Sequence, residues 1–196
     1  MFSTLIVSGD SFCSGYGLDD TTKGWSYLLA NKLGIPLVNL ATEGLGNEHI
    51  INSIMDCKQL KNSLVICGLT QYSRIEFINS KTGKKFTTIP NRRGQSEFEN
   101  IFWQNYYDDE YYYNKFINQL KLFTAWLDIN KFHYFLFDAL PINHYTQESF
   151  PNYLWYGEKN MCDIIYPNQL PDGHPDETGH QLMADELHKI ILDKFG

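Results

Sequence analysis

The chain has 196 residues, enough for one domain with a substantial core. Its 16 basic and 23 acidic side chains leave a formal charge of −7, which argues against duplex nucleic acid as the main partner. No stretch approaches the roughly 18 apolar residues of a membrane span.

Met1-Phe2-Ser3 runs straight into an apolar segment without the basic flank of a signal peptide. Cys13, Cys57, Cys67 and Cys162 lie far apart with no CxxC pair and read as free thiols. A reducing, cytoplasm-like compartment follows, and a virus-borne protein that lacks a signal also fits. One domain is expected over 1–196, with no linker and no internal repeat.

The first element is a short apolar strand, Thr4–Ser8, that stops at Gly9-Asp10-Ser11. A helix follows over 24–33, with Trp25, Leu28, Leu29 and Leu33 at helical spacing. A second strand is expected over 36–40, then a helix over 47–60 carrying Ile50, Ile51, Ile54 and Met55. A third strand covers 64–67.

Residues 72–107 interrupt the alternation as an insertion. Runs at 74–79 and 85–89 flank Ser80-Lys81-Thr82-Gly83-Lys84 and read as a hairpin, followed by a polar loop over 90–100. Because the insertion leaves the carboxyl end of a strand, it is expected beside the site, as a lid or wall. A helix over 109–130, a strand over 132–137 and a last helix over 176–194 complete the chain. Strands alternating with helices indicate a parallel sheet covered on both faces, a three-layer α/β/α sandwich.

In open α/β sheets ligands bind at the carboxyl ends of the strands, where Ser11 stands. A serine needs a base to take its proton. The distal segment Pro171-Asp172-Gly173-His174-Pro175 offers one in His174, with Asp172 beside it to hold the imidazole. The duller readings are a capping or phosphate-binding turn for Ser11 and a turn residue for Asp172. Asp138, at the end of the strand over 132–137, is the reserve partner for His174. His49, His133, His144 and His188 have no ligand partners at metal spacing, so no metal is expected, and no cofactor is implied.

The motifs resemble those of the SGNH (GDSL-type) hydrolases, a family of esterases and lipases. Ser8-Gly9-Asp10-Ser11 is similar to the first family block and Asn39-Leu40-Ala41-Thr42-Glu43-Gly44 to the second. The resemblance implies a flavodoxin-like sheet, Ser11 as nucleophile, and the backbone N–H groups of Ser11 and Gly44 in the oxyanion hole. The third block should read Gly-x-Asn-Asp, but here it is Gly68-Leu69-Thr70-Gln71, so Thr70 replaces the asparagine that donates to the oxyanion. The family aspartate stands three residues before the histidine; that position is Pro171, and Asp172 is two before.

For the missing donor the candidates are the Thr70 hydroxyl and Asn47, which reads equally as the cap of its helix. Arg74 is a candidate for a substrate anion, or for pairing with Glu76 or Asp108. Trp103 belongs to the dense aromatic run Phe102-Trp103-Gln104-Asn105-Tyr106-Tyr107, which reads as a surface for sugar or acyl groups, or more commonly as core or a partner interface. The expected function is ester hydrolysis through an acyl-enzyme, with a small-molecule or carbohydrate ester as substrate, O-acetyl groups first. The alternatives are a non-catalytic carbohydrate-binding or virion-associated protein on the same fold, and an O-acyltransferase with the same triad.

Overall fold

The computed structural model describes residues 2–58, 61–90, 95–141 and 150–196. Four parallel strands form the central sheet: β1 (Thr4–Ser8), β2 (Leu37–Asn39), β3 (Ser63–Leu69) and β6 (His133–Asp138), in the order β2-β1-β3-β6. That order is flavodoxin-like, with the first strand inside and the chain winding outward on both sides. Where a fifth strand would lie, the described residues form one bridge, in which Leu136 bonds the backbone of Asn152 and Leu154.

Side chains alternate across the sheet, as the strand period requires. Leu5, Val7, Leu64, Ile66, Phe135 and Phe137 face one way, onto α2 (Trp25–Leu33) and α7 (Glu177–Phe195). Ile6, Val65, Cys67, Tyr134 and Leu136 face the other way, onto α3 (Asn47–Met55) and α5 (Asp109–Ile129). Burial on both faces explains why these strands read as continuous apolar runs. The result is the expected three-layer sandwich.

The insertion after β3 is an antiparallel hairpin, β4 (Ile75–Ile78) and β5 (Lys85–Thr88). A helix then appears where a loop was expected, α4 (Glu97–Asn105). Its start carries a capping box, in which Ser96 accepts from the Glu99 N–H while Glu99 returns to the Ser96 N–H. Phe102 on this helix meets Phe77 of the hairpin at 5.0 Å, so the aromatic run supplies a small core of its own. Residues 91–94 of the expected loop lie outside the described residues. The helix expected over 47–60 ends at Met55. Asp56 and Lys58 give it no apolar face to bury, and Leu60 is outside the described residues. A further short helix, α6 (Met161–Ile165), went unread although Asn160 and Asp163 form another capping box.

Gly9 and Gly68 are glycines because Cys13 lies between them. A Cβ on Gly68 would stand 2.4 Å from the Cys13 Sγ, and one on Gly9 would stand 2.3 Å away. Both are far inside contact distance, and Cys13 is 1% exposed with no room to move. Gly68→Ala should therefore lower stability by roughly 1–3 kcal/mol through overpacking. In a Cys13→Ala background the same change should cost less, a coupling that urea melts of the four variants would measure.

His180 is fully buried, and its Nδ1 accepts the backbone N–H of Trp25 at 3.2 Å. Gly24 has no side chain with which to cap α2, so a residue of α7 does it instead. Burial depresses the His180 pKa to about 4, against 6.5 in the unfolded chain. Between these values the unfolded state binds the extra proton and the native state does not. Stability should fall by up to about 3 kcal/mol from this group as pH drops from 6.5 toward 4, and then level off. The difference between the wild-type and His180→Gln stability curves over that range would isolate the contribution.

Candidate active site

Ser11 opens a one-turn helix, α1 (Ser11–Ser14), directly after β1. Asp10 fixes the turn: its Oδ1 accepts the Phe12 N–H at 3.0 Å. Ser11 Oγ lies 2.8 Å from His174 Nε2, although 163 residues separate the two in sequence. The imidazole is held between the rings of Phe12 and Tyr16, with centroids 4.8 and 4.7 Å away.

The loop carrying His174 is tied down at both ends. Leu170 donates to the His174 carbonyl at 2.7 Å and Gly173 to the Leu170 carbonyl at 2.9 Å. Asp176 then caps α7 through the Gly179 N–H at 2.8 Å.

Asp172 Oδ1 accepts the His174 backbone N–H at 3.1 Å and stands 3.1 Å from the His174 Nδ1. An aspartate bonding the backbone two residues on is an Asx turn. This turn is what allows a two-residue spacing to bring carboxylate and imidazole together. The oxygen is taken by the backbone N–H, so the ring Nδ1 stands at contact distance from it without a hydrogen bond. The backbone N–H is the chief reason the Asp172 carboxyl is held below the usual carboxylate range. Asp138, the reserve partner, is buried and accepts from the Tyr153 hydroxyl.

Ser11, Asp172, His174, Gly44 and Arg74 line one cavity of about 570 Å³. Gly44 sits in the loop after β2 with φ of +71, a conformation that favours glycine. Phe12, Thr87, Ile89, Leu140, Cys162 and Gln169 complete the walls. Thr87 and Ile89 come from the hairpin, so the insertion is a wall of the cavity. Leu140, Cys162 and Gln169 carried no sequence signal: Leu140 and Gln169 belong to irregular connections, and Cys162 to the short helix α6.

Three expectations need correction. Asn47 neither donates to the region of Ser11 nor caps α3. It is buried, its Nδ2 donating to the Thr70 carbonyl at 2.8 Å and its Oδ1 accepting the Thr70 N–H at 2.9 Å. Thr70 is fully buried, with its hydroxyl beside the Asp10 carboxylate, and does not reach the cavity. Trp103 lies away from the cavity: its Nε1 donates to the Thr88 hydroxyl at 2.8 Å and its ring packs 4.4 Å from Tyr107, joining α4 to the hairpin.

Arg74 pairs with neither expected partner. Its Nη1 lies 3.2 Å from Asp10 Oδ2. Glu76 is used elsewhere, accepting the N–H groups of Gly46 and His49 at the start of α3. Burial raises the Asp10 pKa, and Arg74 offsets part of that rise.

No family model and no curated protein matches the sequence. Solved structures do match. The esterase EstA from Pseudoalteromonas, determined with monoethylphosphonate as inhibitor, aligns over 98% of both chains at 17% identity with a TM-score of 0.59. A protein from Desulfitobacterium hafniense assigned to the lipolytic G-D-S-L family covers 96% of this chain and 99% of its own, at 14% identity and a TM-score of 0.58. The chain has the SGNH hydrolase fold.

Among the described residues no helix is long and apolar enough to cross a membrane, and no group of three His, Cys, Asp or Glu is placed to hold a metal. His144 lies outside the described residues. All four cysteines are free, with Cys13 and Cys67 buried and Cys57 and Cys162 half-buried.

The Asn47 clamp has a direct consequence. Asn47→Ala should leave the Thr70 N–H and carbonyl unpaired in the interior and lower stability by roughly 1–3 kcal/mol. Denaturant melts would show a shifted midpoint with an unchanged slope.

Proposed function

We propose that this chain is a serine hydrolase that cleaves carboxylic esters through an acyl-enzyme. The observation that carries the reading is the 2.8 Å contact of Ser11 Oγ with His174 Nε2, backed by Asp172 at 3.1 Å from the other ring nitrogen. His174 takes the Ser11 proton as Oγ attacks the ester carbonyl. The backbone N–H groups of Ser11 and Gly44 meet the oxyanion. The imidazolium, steadied by Asp172, protonates the departing alcohol. Water then gives His174 a proton as it attacks the acyl carbonyl, and Ser11 recovers that proton when the acid leaves.

The lining of Phe12, Ile89 and Leu140 suits a short uncharged acyl group. An O-acetyl ester on a small molecule or a carbohydrate is the substrate class to assay first. The aromatic run gives no separate support to sugar, since Phe102 and Trp103 pack within the insertion. Adding an excess of sugar or alcohol to the assay separates hydrolysis from acyl transfer.

A fluorophosphonate probe tests the reading, because only an activated serine reacts. Mass analysis should find the adduct on Ser11 in the wild type and no adduct in Ser11→Ala. His174→Ala should slow labelling by several orders of magnitude, since the two residues act as one unit. An unlabelled wild type, or label persisting in Ser11→Ala, would overturn the proposal.

A further inference from the structure

Two backbone donors face the oxyanion in this reading, and the side-chain donor of the family pattern is missing. Asn47 is committed to the Thr70 backbone, and Thr70 is sealed from the cavity. Arg74 is a cation in the same cavity wall as Ser11, Gly44 and His174, with its side chain 14% exposed. A guanidinium carries five N–H donors. Among the described residues Asp10 is the only side-chain partner Arg74 has, and the Nε is buried without an acceptor. Burying an unmatched donor on a charged group is costly. A ligand atom that accepts from the guanidinium would relieve that cost.

Resting on the hydrolase reading, we propose that the Arg74 guanidinium is the third donor to the oxyanion, replacing the side-chain amide absent at Thr70. The charges decide between this role and recognition of a permanent anion. Asp10 and Asp172 outnumber Arg74 around the reaction centre, and the whole chain stands at −7. An anionic substrate would therefore enter a site that already has excess negative charge. A carbonyl oxygen enters neutral and becomes negative only as Ser11 attacks. At that moment the proton has moved to His174, and a fixed cation beside the oxygen lowers the barrier without lowering the ground state. Asp10 fixes it: one carboxylate oxygen holds the turn that presents Ser11, and the other holds the guanidinium. Nucleophile and cation are thus set against each other by a single side chain.

The test uses p-nitrophenyl acetate with Arg74→Gln and with the double variant Asp10→Asn/Arg74→Gln. Arg74→Gln alone leaves Asp10 buried without a counter-charge and can unfold. The double variant removes both charges at once and keeps an oxygen to cap α1. It should regain the melt of the wild type while kcat stays down by about 100-fold or more. KM should change little, because the interaction belongs to the transition state. A folded double variant with kcat within about tenfold of the wild type would overturn the proposal. So would an unchanged kcat with KM raised for an anionic ester alone, which would make Arg74 a substrate-recognition group. Fluorophosphonate labelling of wild-type Ser11 is read first. If it fails, the hydrolase reading and this one fall together; if it succeeds, the Arg74 outcome stands alone.

Discussion

The carboxylate of Asp10 is the point on which the site depends. It is fully buried, one oxygen bonding the Phe12 N–H and the other 3.2 Å from Arg74. A buried carboxylate without a counter-charge would be driven to protonate, and burial does raise its pKa against the pull of Arg74. Losing one partner of such a pair typically costs 3–5 kcal/mol, roughly, because the remaining charge is stranded. That coupling joins two parts of the chain that sequence keeps apart, the turn after β1 and the first residues of the insertion. The hairpin is therefore tied to the turn carrying Ser11 electrostatically as well as forming a wall of the cavity.

The same tactic recurs through the fold, with helix ends satisfied from a distance. Gly24 and Gly46 precede α2 and α3, and neither has a side chain for capping. His180 of α7 serves the first, and Glu76 of β4 serves the second. Each of these caps is also a tertiary contact, so helix ends, sheet and insertion form as one unit. Asn47 extends the scheme by locking the start of α3 to the end of β3 through both polar atoms of its amide. The asparagine expected to serve chemistry has become a brace between two elements.

What the sequence makes legible follows from this arrangement. β1, β3 and β6 are apolar runs buried on two faces, and they were readable within a residue or two. That Ser11 and His174 come together was legible because each sits at the edge of a regular element, at the end of the sheet where ligands bind. The partner of Arg74, the donor to Asn47 Oδ1 and the cap of α2 were not. Each is a long-range pairing that no local period encodes. α4 is the opposite case: Ser96 and Glu99 spell a capping box, but the polar residues over 90–100 read as a loop. Trp103 then proved to be an anchor, because a hydroxyl on β5 satisfies its indole N–H.

On the proposed hydrolase reading, the exposure of Asp172 bears on where rate enhancement would come from. The Asp172 side chain is 52% exposed, and the oxygen nearest the His174 ring bonds the His174 backbone instead. Solvent screens a charge in that position, so its electrostatic support for an imidazolium is modest. Its more durable contribution is geometric: the Asx turn and the flanking rings of Phe12 and Tyr16 hold the imidazole where Nε2 meets Ser11. In that reading, transition-state charge would be met chiefly on the other side of Ser11, where groups are buried and interactions are stronger. Asp10 and Arg74 lie on that side, desolvated and fixed, while the Asp172 carboxylate is half in water. The polarity of the cavity is thus set more firmly by the residues around the Ser11 turn than by the aspartate beside His174.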